Sequence, residues 1–428
     1  MLKKFYFVLL LFFTSAAFAQ KTYIQCGKLI DGISNKEQTE VTIIVDGNVI
    51  SDIQKGYVTG NANANDKLIS LKDKTVMPGL IDCHVHLENQ FSKNTLLEGF
   101  TLTDADIAYR AAVNAKKTLL AGFTTVRDCG GTGVNISLRK AVQQGLVDGP
   151  RIITAGRAIS ASGGHMDGSV GFRDDAFNHK FGPDDGVADG RDELVKAVRL
   201  QIKRGSDVIK IASTGGVLDL SENSSGAEFT IDEIKAVVET AKDYGLRVAC
   251  HAHGAEGIRR AILGGVTSIE HGTFMNEEDM ELAKKYGTYL VPTIIAGRSV
   301  ADSAKIPGFF PPVIARKAME VGTQIQANFG KAYKAGVKIA FGTDAGVYAH
   351  GKNYLEFGYM VEAGMPPMEA IKAATTSAAD LLGIADKTGS ITKGLSADIV
   401  AVDGDPLNDI KVMKNVTFVM KEGKIYKQ

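Results

Sequence analysis

The stretch VMPGLIDCHVH, residues 76–86, combines an apolar run with two histidines at its carboxyl end. The run has the length and composition of a buried β-strand, and side chains along a strand alternate between its two sides. His84 and His86 therefore point to the same side of this strand. Two imidazoles placed in this way can bind one metal ion. The stretch thus predicts a core strand that ends in a pair of metal ligands.

A second pair of alternating histidines, His251 and His253, occurs in the stretch HAHG. Eight histidines scattered at random over 428 residues give roughly 0.15 such pairs, so two pairs are more than chance provides. The recurrence favours metal ligands over histidines that only pack in a core. For His253 alone, the alternative that the side chain only packs in the core stays open.

Strand-like segments alternate with amphipathic helical segments through the middle of the chain. Eight strand candidates lie at residues 76–86, 123–128, 151–155, 208–212, 247–251, 267–271, 289–293 and 338–343. Helical candidates lie at residues 103–121, 192–204, 231–244 and 255–263. Eight alternating units predict an α/β fold of the (β/α)8 TIM-barrel type, whose functional residues lie at the carboxyl ends of the strands. A doubly wound open sheet is the alternative.

Shorter strand-like segments flank this central region on both sides. In VTIIVDGNVISDI, residues 41–53, the turn Asp46-Gly47-Asn48 indicates a hairpin. We expect residues 20–77 and 386–428 to build one small β-sandwich domain from both termini. The barrel domain is then expected at residues 78–385.

The first nineteen residues have the pattern of a secretory signal peptide, in which lysines precede an apolar run and small residues follow it. The apolar run, residues 5–13, is too short to span a membrane. We expect cleavage near Ala19 and a periplasmic or secreted protein without a membrane span. A buried N-terminal helix is the alternative.

The overall composition excludes several classes of protein. The chain is 44% hydrophobic and carries 49 basic and 49 acidic residues, so a disordered chain or a basic nucleic-acid binder is not expected. The four cysteines, Cys26, Cys83, Cys129 and Cys250, are widely spaced in apolar segments, which predicts buried thiols.

Three further residues with ligand or acid–base chemistry lie in strand candidates or directly after them. Lys210 lies within VIKIA, where a buried ammonium is unfavourable unless it is paired or neutralised. Reaction of its amine with carbon dioxide would give a carboxylate able to bridge two metal ions, whereas a buried ion pair is the alternative. His271 ends SIEH, and Asp344 ends IAFGTD. A carboxylate beside a metal-activated water is the usual general base, although a lone aspartate at a strand end often caps a helix.

The ligand candidates, taken in their order along the chain, resemble the metal ligands of the amidohydrolase superfamily. The similar phrases are MPGLIDCHVH (77–86), GFTTVRD (122–128), SIEHG (268–272), FGTDAG (341–346) and GSITKGLSADIVAVDGDPL (389–407). Together they span nearly the whole chain. Within the superfamily, IKIASTGGV (209–217), ASGGH (161–165) and HAHG (251–254) look most like the imidazolonepropionase-like group. That group includes secreted Xaa-Pro dipeptidases, which are prolidase-like, and N-acyl-amino-acid hydrolases.

The resemblance implies a set of metal ligands and their roles. Two divalent metal ions, expected to be zinc, would be bound by His84, His86, Lys210, His251, His271 and Asp344. Lys210 would be an N6-carboxylysine that bridges both ions together with a hydroxide. Asp344 would be the catalytic general base. Because true imidazolonepropionases look mononuclear and lack this lysine, Lys210 argues against that activity.

Further residues are candidates for contact with the substrate. They are His165, His253, Tyr348 and His350. Arg127 and Arg157, near the ends of two strand candidates, either face a substrate carboxylate or form salt bridges.

The activity expected from this resemblance is hydrolysis of an amide bond in an Xaa-Pro-like dipeptide or an N-acyl amino acid with a free carboxylate. The expected partner is thus a small-molecule or dipeptide substrate. The possibility that the chain forms a homo-oligomer stays open. Hydrolysis of a cyclic amide or a lactone is the nearest alternative. A non-catalytic binding barrel is an alternative of another class, which the complete set of ligand positions disfavours.

Overall fold

The computed structural model describes residues 20–60 and 65–428, in which a parallel α/β region is joined to a mixed β-sheet. The strands are β1 (Lys21–Leu29), β2 (Gln38–Asp46), β3 (Val49–Lys55), β4 (Lys67–Pro78), β5 (Leu80–Val85), β6 (Phe123–Asp128), β7 (Arg151–Thr154), β8 (Ile209–Ala212), β9 (Val248–Ala252), β10 (Ser268–His271), β11 (Tyr289–Val291), β12 (Ile399–Asp403), β13 (Val416–Lys421) and β14 (Lys424–Lys427). The helices are α1 (Thr95–Thr101), α2 (Asp104–Leu120), α3 (Val134–Gln143), α4 (Gly190–Arg204), α5 (Ile231–Asp243), α6 (Ala255–Gly264), α7 (Glu277–Tyr286), α8 (Ile294–Ala304), α9 (Pro312–Lys334), α10 (Leu355–Glu362), α11 (Pro367–Ala373) and α12 (Thr376–Leu382), with a 3-10 helix at Ile410–Lys414.

Strands from both ends of the chain form one seven-stranded mixed sheet in the order β14-β13-β12-β4-β1-β2-β3. β1 pairs antiparallel with β2 and parallel with β4, while β12 pairs antiparallel with β4. The predicted turn at Asp46-Gly47-Asn48 joins β2 to β3. The seven described strands of this region are hydrogen-bonded into one sheet and not into two, so the region is a single mixed sheet.

The central strands form two parallel sheets in the orders β5-β6-β7 and β11-β10-β9-β8. Isolated parallel bridges lie between the two sheets, namely Ile159 with Ile211, Leu290 with Ile339 and Val85 with Ala345. The eighth strand candidate, residues 338–343, forms no continuous ladder. It bridges β11 at Ile339, and the bridge to β5 lies two residues beyond its predicted end, at Ala345.

The first strand candidate, residues 76–86, differs from the prediction because it is split at Gly79. β4 belongs to the mixed sheet, whereas β5 belongs to the parallel region. A Cβ atom at Gly79 would lie 2.1 Å from Thr124 Oγ1, so a larger residue does not fit where the chain passes from one sheet to the other. The amide of Gly79 donates a hydrogen bond to Asp398 O at 2.8 Å, which ties this crossing point to the C-terminal part of the chain.

The four helix candidates form as α2, α4, α5 and α6, and this prediction is confirmed. Local sequence signals account for two of their starts. Thr103 and Thr230 each form a capping box with the acidic residue three positions later, which satisfies free amide groups at the start of α2 and α5. Apolar faces of these helices pack against the parallel strands in one continuous core.

Other sequence-based expectations concern the cysteines and membrane association. All four cysteines are buried free thiols in the described structure, as predicted. Among the described helices, none is long and apolar enough to cross a membrane. The predicted signal peptide, residues 1–19, lies outside the described residues.

Candidate active site

A cavity of about 440 Å³ opens at the carboxyl ends of the parallel strands. All six predicted metal ligands line it, namely His84, His86, Lys210, His251, His271 and Asp344. Because strands of a parallel sheet place their carboxyl ends at one edge, residues far apart in sequence meet here. The structure thus brings the complete predicted set together.

The first group of potential ligands consists of His84, His86 and Asp344. Asp344 Oδ1 lies 3.6 Å from His84 Nε2 and 3.4 Å from His86 Nε2. One ligand atom from each residue falls within 4.8 Å of the others. Two imidazoles and a carboxylate at these separations can hold a divalent metal ion.

Hydrogen bonds orient both imidazoles of this group. His84 Nδ1 lies 2.8 Å from Glu270 Oε2, and His86 Nδ1 lies 2.7 Å from Gly130 O. Since both partners are acceptors, each Nδ1 donates, and each Nε2 keeps a lone pair for a metal ion. Glu270 is a functional candidate that the sequence analysis missed, although it lies directly before His271 in SIEH.

Arg127 fixes the carboxylate of Glu270 from the other side. Its Nη2 donates to Glu270 Oε1 at 2.7 Å, and the side chains of Arg127 and Glu270 are almost fully buried. Of the two alternatives for Arg127, the salt bridge is therefore the one observed.

The second group consists of His251, His271 and Lys210. The ring centroids of His251 and His271 are 4.7 Å apart, and those of His84 and His271 are 5.1 Å apart, which connects the two groups. His271 Nδ1 lies 2.6 Å from Thr293 Oγ1, and this contact orients its ring. The two groups form one continuous cluster.

Three polar atoms in this cluster are buried without a hydrogen-bond partner among the described residues. They are His84 Nε2, Lys210 Nζ and Asp344 Oδ1. Buried polar groups in proteins are almost always satisfied, so each exception asks for an explanation. Three exceptions at one cavity, with a nitrogen- and oxygen-rich donor set, fit bound divalent metal ions.

Burial shifts the protonation of the cluster. Desolvation, followed by repulsion from neighbouring cationic groups, holds the pKa of His84, His251 and His271 well below the ordinary range. Desolvation also raises the pKa of Asp344 to about 7, against the opposing charge of Lys210. Neutral imidazoles are the form that binds metal ions.

Backbone strain is concentrated at the strand ends around this cavity. His271, Thr293 and Asp344 adopt φ angles of 74°, 52° and 58°, in the left-handed region that non-glycine residues seldom occupy. The Asp344 amide donates to His84 O at 2.7 Å, which holds one of these strained residues in place. Such strain persists where the surrounding structure fixes it, most often at functional sites.

The predicted substrate contacts fall into two classes. His165 and His253 line the cavity, and the ring of His253 is held by Thr273 Oγ1 at 2.7 Å. Tyr348 and His350 are buried outside the cavity lining, and His350 Nε2 lies 2.9 Å from Asn89 O. The structure therefore brings only the first two to the cluster.

Known proteins are similar to this chain over almost its whole length. The model of the amidohydrolase family matches residues 75–426. A crystal structure of an Xaa-Pro dipeptidase with bound methionine is 49% identical, with a TM-score of 0.93, over 96% of this chain and 100% of that chain. A prolidase complexed with N-methylphosphonate-L-proline is 32% identical, with a TM-score of 0.87, over 96% and 100% of the two chains. Ochratoxinase from Aspergillus niger is 34% identical over 433 residues, which is 96% of this chain and 87% of that protein.

These similarities agree with the fold and with the cavity. The α/β region matches amidohydrolase structures of the TIM-barrel type, and the mixed sheet accompanies it in the same chain. The range matched by the family model contains all six residues of the cluster. This chain therefore belongs to the amidohydrolase family and is a hydrolase that acts on carbon–nitrogen bonds.

Proposed function

We propose that this protein is a binuclear metal-dependent amidohydrolase that cleaves the amide bond of a dipeptide or an N-acyl amino acid with a free carboxylate. The observation that carries the proposal is the convergence of six potential ligands on one cavity, three of which have buried polar atoms without a hydrogen-bond partner in the described part of the chain. The similar Xaa-Pro dipeptidase and prolidase support the substrate class.

Two divalent ions would be held by the two groups of ligands. His84, His86 and Asp344 would hold the first, and His251 and His271 the second. Between them, Lys210 would act as an N6-carboxylysine, whose Nζ bonds to the carbon of carbon dioxide and releases a proton. Imidazole and carboxylate ligands suit zinc. Metal ions bound here would lower the pKa of a coordinated water and polarise the substrate carbonyl.

Asp344 would act as the general base and then the general acid. Its Oδ1 faces both imidazoles and has no hydrogen-bond partner among the described residues, so it can accept a proton from the attacking water. The same carboxyl group can then donate that proton to the leaving nitrogen. The hydrogen bond from its amide to His84 O fixes the backbone from which this side chain extends.

Arg157 supplies a charge for the substrate carboxylate. It lines the cavity, and within the described part of the chain its guanidinium group has neither an ion pair nor a hydrogen bond. Arg110, which also lines the cavity, is neutralised by Glu98 at 2.7 Å. A guanidinium group can bind a carboxylate through two parallel hydrogen bonds.

Another part of the cavity lining is apolar. Its residues include Phe91, Val217, Leu218, Val300, Val321 and Ile325. These side chains would favour an apolar residue, such as proline, on one side of the scissile bond through burial of apolar surface.

We also propose that the two parallel sheets close into a (β/α)8 barrel. The bridge between Ile159 and Ile211 links β7 to β8, and the bridges at Ile339 and Ala345 place residues 338–345 between β11 and β5. The resulting ring has its strands in sequential order, as the barrel requires. A crystal structure would test this closure directly.

Amine release from a substrate panel tests the function. The panel contains Xaa-Pro dipeptides, other dipeptides and N-acyl amino acids, each as a free acid and as a carboxamide, with zinc-loaded protein. Turnover restricted to the free acids supports the proposal. Absence of turnover across the panel with metal bound would contradict the proposal and point to hydrolysis of a cyclic amide or a lactone, whereas absence of both turnover and bound metal would indicate a binding protein.

A further inference from the structure

Asp219 connects three segments that surround the cavity. It lies in the loop after β8, and its Oδ2 is 2.5 Å from His165 Nδ1 in the loop after β7. Its Oδ1 is 2.9 Å from Lys317 Nζ on α9. We propose that Asp219 is a positioning residue that holds the imidazole of His165 in its working orientation beside the metal ligands, a role that rests on the proposed function.

Asp219 itself is held rigidly. Its Oδ1 also accepts hydrogen bonds from the amide of Ser221 at 2.8 Å and from the Ser221 hydroxyl. Lys317, which is fully buried, donates a second hydrogen bond to the Asp219 carbonyl at 3.0 Å. The carboxylate therefore cannot rotate away from His165 without the loss of several contacts.

Charge reinforces this arrangement. Burial alone raises the pKa of Asp219, but the hydrogen bond and charge of His165, with the hydrogen bonds of Ser221 and Lys317, outweigh burial and place the pKa well below its usual range. The carboxylate is therefore ionised, and an ionised acceptor makes the stronger hydrogen bond to an imidazole N–H.

His165 lies directly against the proposed ligand cluster. Its ring centroid is 4.3 Å from that of His251. A Cβ atom at Gly216 would lie 2.1 Å from the same ring, so the absence of a side chain there creates the space that the ring occupies. Since Asp219 occupies Nδ1, Nε2 is the nitrogen left for a substrate.

A purely structural role for Asp219 would give a different result from a positioning role. Asp219→Asn leaves the buried Lys317 without its counter-charge, so Tm should fall whichever role Asp219 has. The two roles differ in the kcat that is measured well below Tm and corrected for the folded fraction. Positioning predicts that this kcat falls about 10- to 100-fold, the usual loss when the partner of a functional imidazole is removed, whereas a structural role predicts the kcat of the wild type. Glu222→Gln is the matched control, because Glu222 lies in the same loop and its exposed side chain is paired with Arg316, so this variant should retain the kcat of the wild type.

A double-mutant comparison identifies the residue through which Asp219 acts. If Asp219 acts through His165, the double variant Asp219→Asn/His165→Gln should have the same kcat as His165→Gln alone. Losses that multiply in the double variant would overturn the proposal.

A readout independent of turnover separates this proposal from the proposed function. In proton NMR spectra of the zinc-loaded protein, the His165 Nδ1 proton, which is hydrogen-bonded to the Asp219 carboxylate, should give a low-field resonance. The resonance should vanish in Asp219→Asn and in His165→Gln and persist in Glu222→Gln. Persistence in Asp219→Asn would overturn the positioning role, whereas loss of the resonance in an enzyme that hydrolyses none of the panel would contradict only the proposed function.

Discussion

The imidazole of His84 and the carboxylate of Glu270 are hydrogen-bonded at 2.8 Å, and both side chains are buried. The second oxygen of Glu270 is bound by Arg127. The chain Arg127–Glu270–His84 therefore links a buried cation to a proposed metal ligand. It sets the orientation of the imidazole from a position that no substrate reaches.

Replacement of Glu270 by glutamine tests this link. We expect Glu270→Gln to lower metal affinity about 10- to 100-fold, because the ligand imidazole loses its charged partner. We also expect a loss of roughly 3–5 kcal/mol in the free energy of unfolding, because Arg127 is left buried without a counter-charge. Metal titration and urea denaturation measure the two effects. Glu281→Gln, on the exposed face of α7, is the matched control, and an equal effect there would refute the link.

Replacement of Asp344 by asparagine tests the general base. Because the amide cannot take up a proton, Asp344→Asn should lower kcat by about 10²- to 10⁴-fold while Tm changes little. Asp185→Asn changes another aspartate of the cavity lining, outside the ligand cluster, and should retain most of the activity. A kcat near that of the wild type in Asp344→Asn would exclude the assignment.

Lys210 is expected to be required for the full complement of metal. Lys210→Ala should bind fewer metal ions per chain, because it lacks the amine that becomes the bridging carboxylate. A short carboxylic acid such as formate or acetate should restore part of the activity by filling the vacated space. Metal analysis measures the stoichiometry, with Lys203→Ala on the exposed side of α4 as the control. Retention of both metals and full turnover would contradict the binuclear proposal.

Arg157 is expected to determine the preference for free acids. Arg157→Met should raise KM for free-acid substrates about 10- to 100-fold, the range for the loss of hydrogen bonds to a charged group. It should leave the kinetics of carboxamide substrates nearly unchanged. Arg110→Met removes a guanidinium of the same cavity that is already paired, and should have a small effect on both. Equal losses on acids and carboxamides would remove Arg157 from carboxylate recognition.

His350 is expected to affect stability at acidic pH more than catalysis. Burial lowers the pKa of His350 from 6.5 to about 4, although backbone carbonyls of Asn89 and His86 partly oppose the shift. The unfolded chain therefore binds a proton below pH 6.5 that the folded protein takes up only near pH 4, so stability falls as the pH decreases between these values. The contribution amounts to roughly 3 kcal/mol.

The measurement is urea denaturation of the wild type and His350→Gln from pH 4 to pH 7. The difference between their stability curves should show a smaller acid-induced loss in the variant, with KM near that of the wild type. A large rise in KM at constant stability would instead support the substrate contact expected from the sequence.

Local sequence signals predicted much of the fold. Amphipathic periodicity predicted the four helices, because this signal depends on neighbouring residues. The structure shows that capping boxes at Thr103 and Thr230 begin two of them. The break at Gly79 was not foreseen, since it depends on the side chain of Thr124 and on a change of sheet partner. An apolar run does not reveal which sheet its residues join.

In the candidate site, too, local sequence pattern predicted some features, whereas others depend on contacts between distant residues. The alternation of His84 and His86 predicted their common side, because it follows from strand geometry alone. The partnership of Arg127 with Glu270 spans 143 residues, and that of His165 with Asp219 spans 54. Neither follows from local pattern, and both depend on how the strand ends and loops meet in space.

The mixed sheet also constrains the order of folding. Thr75, in β4, donates a hydrogen bond to the carbonyl of Gly404, 329 residues along the chain. Closing so long a loop has a high entropic cost, and contacts of high sequence separation slow folding. The sheet can be completed only when the last strands reach β4, so its completion is expected to be a late kinetic event, and a chain truncated before β12 should leave β4 with an exposed edge prone to aggregation.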